Sequence, residues 1–111
     1  MKNGLVPGLT HMQTYVTTLE MRAKQLASDM FSTPAMIGLM EYTCVLLVAP
    51  YLDENEQTVG IHVDVRHMAP TRIGQSVTVT GELLEVKDNK LRFGLSAMND
   101  QHVKIGEGTH R

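Results

Sequence analysis

The amino-acid sequence predicts an α+β fold in which a five-stranded antiparallel sheet wraps around one long central helix. The first observation is a single long apolar run, residues 36–50. It is preceded by residues that commonly start a helix, and it lacks the turn residues that would divide it into short strands. The second is that the segments after this run alternate apolar and polar residues, as half-buried strands do. One apolar helix can cover one face of a sheet of this size, so the sheet is expected to curl around it.

The composition predicts a single domain over residues 1–111. The formal net charge is -2 and the basic residues are scattered, so we expect no nucleic-acid partner. The lone cysteine, Cys44, lies inside the apolar run, which favours a buried thiol and a cytoplasmic protein. Residues 1–10 lack the apolar core of a secretory signal. The apolar run is interrupted by Gly38 and Glu41 and is shorter than the ~20 residues of a membrane span, so no membrane association is expected.

The first half of the chain is expected to contain one strand and two helices. Residues 12–18 are rich in β-branched and aromatic types and predict a first strand, and residues 20–28 suggest a short surface helix. The buried helix is expected to begin at Ser32-Thr33-Pro34, because a capping hydroxyl precedes a proline at a favoured first helical position. It is expected to run to Pro50, with a polar loop at residues 53–57.

The second half of the chain is expected to form four antiparallel strands. The first starts at Val59, where apolar residues at every second position alternate with polar ones up to Arg66. Turn residues separate the others at Asp88-Asn89 and Asn99-Asp100. The three later strands are predicted at residues 76–86, 91–98 and 102–109. A strand, a buried helix and a four-stranded meander, in that order, indicate the hotdog arrangement.

Two residues stand out as candidates for chemistry. Glu41 is the sole charged residue between Pro34 and Pro50, and an unpaired carboxylate in apolar surroundings costs several kcal/mol unless it serves a purpose. It either occupies a narrow solvent-facing stripe of the helix or acts as a base or nucleophile in a water-poor cleft, and we favour the second reading. His67 breaks the alternation of its strand, so it is expected where the strand ends or bends. The other histidines fit surface or structural positions.

Several segments resemble the fluoroacetyl-CoA thioesterase group of hotdog enzymes. The resemblance lies in TPAMIGLMEYTC at residues 33–44, APYL at residues 49–52, and a glycine, Gly60, followed seven residues later by His67. It continues through residues 77–80 and 105–110 and covers roughly the last two-thirds of the chain.

This resemblance implies an acyl-CoA thioesterase that needs no cofactor and no metal. It also implies a catalytic set of Thr33, Glu41 and His67, with the backbone of Gly60 near the thioester carbonyl. The Phe-rich lid of the fluoroacetyl-specific enzyme has no counterpart except Phe31, and this departure leaves fluoroacetyl selectivity open. The expected substrate is a small or short-chain acyl-coenzyme A thioester.

The substrate contacts and the type of reaction remain open at this point. Met36 and Met40 are candidate pocket-lining residues, although a methionine-rich helix is more often core. A non-catalytic acyl-CoA-binding module and a hotdog hydratase are the alternatives, but a binding module needs no buried carboxylate, and no hydratase signature is present. Several basic residues could meet the phosphates of coenzyme A: Arg66, Arg72, Lys87, Lys90 and Arg92.

The spacing of the candidate residues predicts a homodimer, and two such dimers could pair further into a tetramer. Gly60 and His67 lie on one predicted strand and would be about 23 Å apart, too far to act on one thioester. If two copies of this strand pair antiparallel across a two-fold axis between Val63 and Asp64, Gly60 of one copy meets the partner's His67. Thr33 and Glu41 would likewise be about 12 Å apart on a continuous helix. Either the helix begins late, or one of them faces the partner's cleft.

Overall fold

The computed structural model describes all 111 residues and contains one long helix and five strands. The sheet has the order β1-β3-β4-β5-β2, and all of its pairings are antiparallel. The predicted hotdog fold, with a five-stranded sheet and one central helix, is confirmed. The elements in chain order are β1 (Thr10–Val16), α1 (Thr33–Val48), β2 (Val63–His67), β3 (Ser76–Lys87), β4 (Lys90–Asn99) and β5 (Lys104–His110).

Helix α1 begins where the capping signal predicts. The Ala35 N–H donates to the Ser32 hydroxyl oxygen at 3.1 Å, and Pro34 lies in the first turn, where its missing N–H costs no hydrogen bond. The helix ends at Val48 and continues as a short 3-10 turn, Ala49–Tyr51. By length and composition alone, residues 33–51 would also suit a membrane span. One face of the helix is instead buried against the sheet as the domain core: Met36, Met40, Thr43, Cys44, Leu47 and Val48.

The predicted surface helix at residues 20–28 is wrong. The structure has a three-residue 3-10 turn, Leu19–Met21, and the residues after it form a loop. The Ala23 N–H donates to the Met30 carbonyl at 2.7 Å, which closes this loop on itself. Residues 24–29 are all exposed, so a helix there would have no apolar face to pack against the domain.

Strand β2 begins later than the alternating pattern predicts. Regular pairing starts at Val63, whereas Val59 and Ile61 are 76% and 68% exposed. The segment before Val63 is tied to the chain mainly through Arg111, whose carbonyl accepts from Ile61 and whose N–H donates to the His62 carbonyl. Strand β2 is at the end of the sheet order and pairs only with β5, so its other edge has no partner within the chain. Several exposed large apolar residues lie in this strand or next to it: Val59, Ile61, Val63 and Met68.

Candidate active site

Thr33 and His67 form a hydrogen-bonded pair at one end of the domain. Thr33 is the first residue of α1 and His67 is the last residue of β2, and Thr33 Oγ1 lies 2.8 Å from His67 Nδ1. The buried ring of Phe31 meets the imidazole edge-on, with the ring centroids 6.2 Å apart. Both members of the pair line a cavity of about 840 Å³, together with the loop that follows β1.

The environment of His67 favours a neutral imidazole. Its burial lowers the pKa below the usual 6.5, because desolvation disfavours the charged ring. If the Thr33 hydroxyl donates to Nδ1, the single proton of the ring lies on Nε2. Nε2 is buried and has no hydrogen-bond partner within the chain. The pair therefore fixes the orientation of the ring and leaves its Nε2–H group as an unused hydrogen-bond donor.

Glu41 and Gly60 lie together at a second cavity, of about 630 Å³. Glu41 is half-buried on α1 and forms no ion pair within the chain, and Gly60 belongs to the exposed segment before β2. A Cβ atom on Gly60 would lie only 2.8 Å from His110 Cε1 and 3.8 Å from Glu41 Oε2, so a larger residue would require the ring to move. The Gly60 N–H has no backbone acceptor in the chain and is free to bind a ligand oxygen.

The four residues of the predicted set therefore fall into two separate places. Thr33 and His67 line the first cavity but not the second, whereas Glu41 and Gly60 line the second but not the first. Thr33 and Glu41 are on one continuous helix, so the helix does not begin late. A single chain thus presents two half-sites, one with a hydroxyl and an imidazole, and one with a carboxylate and a backbone N–H.

Met36 and Met40 lie in the core and do not line either of the two cavities described here. Both side chains are 0% exposed. They belong to the hydrophobic core cluster, and Met36 packs directly against Gly106 of β5. The structure therefore gives these methionines a packing role and brings neither of them to the half-sites. No group of three or more His, Cys, Asp or Glu side chains is arranged to hold a metal ion.

His110 is a cavity residue that sequence reasoning missed. It lies one residue beyond the predicted end of the last strand, but in the structure it closes β5 and is 7% exposed. Its ring stacks on Phe93 and borders Gly60. Phe93 and Gly60 are both far from His110 in the sequence, so no local sequence pattern could predict that His110 lies between them. His11, His62 and His102 lie outside both cavities.

Comparison with known proteins identifies the family of this chain. The profile of a family described as fluoroacetyl-CoA-specific thioesterase matches residues 13–111. The fluoroacetyl-CoA thioesterase of Streptantibioticus cattleyicolor is 44% identical over 82 residues, which are 74% of this chain and 58% of that protein, so the match spans less than two-thirds of the relative.

Two solved structures extend this similarity to the whole fold. A single-substitution mutant of the fluoroacetyl-CoA-specific thioesterase is 34% identical, with a TM-score of 0.91 over 98% of this chain and 87% of that chain. The same kind of mutant in complex with fluoroacetate and CoA is 35% identical, with a TM-score of 0.89 over 96% of this chain and 91% of that chain. The chain therefore belongs to the fluoroacetyl-CoA-specific thioesterase family.

Proposed function

We propose that this chain is an acyl-CoA thioesterase that hydrolyses small or short-chain acyl groups. The observation that carries the proposal is the pair of complementary half-sites. Thioester hydrolysis needs a donor for the carbonyl oxygen, a group that activates or provides an attacking oxygen, and a proton for the leaving thiolate. The free Gly60 N–H and the unpaired Glu41 carboxylate are groups of the first two kinds, and a carboxylate that accepts a proton can also return it to the thiolate. The neutral His67 ring adds an N–H that can stabilise this thiolate by a hydrogen bond.

The two half-sites become one active site if two copies pair through β2. The outer edge of this strand is unpaired, and the apolar residues Val59 and Ile61 just before it are exposed, as expected for a surface that a second copy covers. In an antiparallel pairing centred between Val63 and Asp64, Gly60 of one protomer lies opposite the partner's His67. This homodimer has two composite sites, each built from both chains.

Each group then has a defined role in the reaction. The Gly60 N–H polarises the thioester carbonyl, and the Glu41 carboxylate is either the general base for water or the nucleophile. The partner's His67 stabilises the leaving thiolate by a hydrogen bond from Nε2–H, and the partner's Thr33 orients that ring through Nδ1. Coenzyme A is polyanionic, and Lys90 and Arg111 at the rim of the Glu41 cavity are cations that suit its phosphates.

The acyl group is proposed to be small, without a requirement for fluorine. The solved relative binds fluoroacetate and CoA, but Phe31, the one phenylalanine near the Thr33 pair, is 3% exposed and packs against His67. It therefore supports the catalytic ring and does not act as an exposed cover over the acyl group.

The proposal is tested with a panel of acyl-CoA thioesters of increasing chain length, with release of the free thiol as the readout. We expect steady turnover that is highest for the shortest acyl groups. The Glu41→Gln chain serves as the matched control, because it keeps the volume and removes the charge. Tight binding without turnover across the panel would identify a binding module and refute the enzymatic function.

A further inference from the structure

His110 is held in a fixed orientation at the junction of three strands. It pairs in register with Val63 of β2 and with Phe93 of β4. Its ring is nearly parallel to that of Phe93, with the centroids 5.9 Å apart and an interplanar angle of 22°. The backbone bonds of the next residue, Arg111, tie the segment that contains Gly60 to the end of β5. The position of the imidazole relative to Gly60 is therefore set by the sheet.

An imidazole is a costly side chain at this position if it serves packing alone. His110 Nδ1 is buried and has no hydrogen-bond partner, so a polar atom has lost its hydration without compensation. Because no acceptor reaches Nδ1, a singly protonated ring has its proton on Nε2. Nε2 is on the side of the ring that faces Gly60, 3.7 Å from where a Cβ atom of that residue would lie. An apolar ring would fill the same space at lower cost.

The space beside Gly60 has a donor on one side and an acceptor on the other. The ideal Cβ position of Gly60 is 3.7 Å from His110 Nε2 and 3.8 Å from Glu41 Oε2, and the two side chains form no ion pair with each other. The Cβ position itself is too close to His110 Cε1, at 2.8 Å, to hold another atom. A water molecule farther from the ring, between the two side chains, can accept from Nε2–H and donate to the carboxylate. A carbonyl oxygen between the two side chains can only accept, and it would lie against the negative charge of Glu41, so the thioester carbonyl is assigned to the Gly60 N–H and not to this position. The site is therefore complementary to water.

We propose that His110 is a further catalytic residue that holds the hydrolytic water between its Nε2–H and the Glu41 carboxylate. This role rests on the proposed thioesterase function and assigns Glu41 as the general base. The water oxygen forms a bond to the thioester carbon as its proton passes to Glu41, and the C–S bond then breaks. The partner's His67 donates a hydrogen bond from Nε2–H to the departing thiolate, and the proton on Glu41 passes to that sulfur through solvent, which regenerates the carboxylate. The products are the carboxylic acid and the free thiol of coenzyme A.

The test compares two substitutions of His110 with a matched control, using the full-length chain and acetyl-CoA. His110→Phe keeps an aromatic ring on Phe93 and removes the donor, so we expect kcat to fall about 100-fold with an unchanged KM. His110→Gln returns an N–H near the position of Nε2, and it should recover about tenfold of this loss. His11→Phe changes another half-buried histidine, on β1 at the opposite edge of the sheet, and should retain wild-type kinetics.

A nucleophile added to the solution separates water positioning from packing. Hydroxylamine is a stronger nucleophile than water and needs less positioning by the Nε2–H. Acyl transfer to hydroxylamine, corrected for the uncatalysed reaction, should therefore be less impaired by His110→Phe than hydrolysis is. If the Phe variant does not fold, as judged by thermal melting, His110→Leu replaces it in the same comparison.

The outcomes distinguish this role from the function on which it rests. A wild-type kcat in His110→Phe would overturn the role of His110 and leave the thioesterase function standing. The same conclusion would follow if hydrolysis and transfer to hydroxylamine fell equally in the Phe and Gln variants. A wild-type chain that hydrolyses no acyl-CoA would overturn the proposed function, and the role of His110 with it.

Discussion

Mixing two inactive chains should restore activity if the two half-sites combine across a dimer. His67→Ala removes the imidazole from one half-site, and Gly60→Val blocks the other, because its Cβ would lie 2.8 Å from His110 Cε1. In a mixed dimer one composite site contains both lesions and the other contains neither. With random exchange at equal concentrations, half of the dimers are mixed and half of their sites are intact, so activity should return to about one quarter of the wild-type value. Thiol release from acetyl-CoA measures this recovery after subunit exchange.

A second pair of chains provides the control. Thr33 and His67 share one half-site and are 2.8 Å apart, so a mixture of Thr33→Ala and His67→Ala chains leaves a lesion in every site. It should show no gain over the separate variants. Recovery in the control mixture, or none in the first mixture despite exchange shown by mass spectrometry of the native dimers, would refute the shared site.

Three further predictions concern single residues. Glu41→Gln should lower kcat by at least about 100-fold while the melting temperature stays at or above that of the wild type, because the variant removes a half-buried, unpaired charge; near-normal turnover would make Glu41 structural. Burial lowers the pKa of His67 in the folded state, so the unfolded chain binds more protons below pH 6.5, and stability should fall as the pH drops from 7 to about 5. Denaturant titrations should show a smaller loss over this range in His67→Gln, and an identical loss would contradict the shift. Cys44 is 2% exposed and its pKa is raised to about 12 by burial, so the native chain should not react with a disulfide reagent at neutral pH. The denatured chain should react and release one equivalent of the reagent's thiol. Rapid labelling of the native protein would argue against the burial of Cys44.

Local signals in the sequence were sufficient for the fold class. The Ser32 cap and Pro34 mark the start of α1, and the structure begins the helix there, because capping depends on residues within one turn. The turn at Asp88, which has a positive φ of 56°, separates β3 from β4 as predicted. The resemblance to the family also supplied the candidate site residues, because residue types and the spacing between them can be compared directly from the sequence.

The tertiary structure decided which of these residues meet. Thr33 bonds to His67, while Glu41 lies beside Gly60 and His110, and these groupings depend on strand pairing between distant segments. The helix predicted at residues 20–28 does not form for a related reason. Residues 24–29 are all exposed, so a helix there would bury no apolar face, and a backbone hydrogen bond between Ala23 and Met30 closes the segment as a loop instead.

The sequence by itself therefore determined the class of fold and the chemical groups that the chain contains, because periodicity, caps and turns act over a few residues. Only the tertiary structure decided that Met36 and Met40 are core, that His110 borders the cavity, and that the four candidate residues divide into two half-sites. Those outcomes follow from the register of β2 on β5 and from the packing of α1 in the sheet, which bring together residues that no local pattern connects.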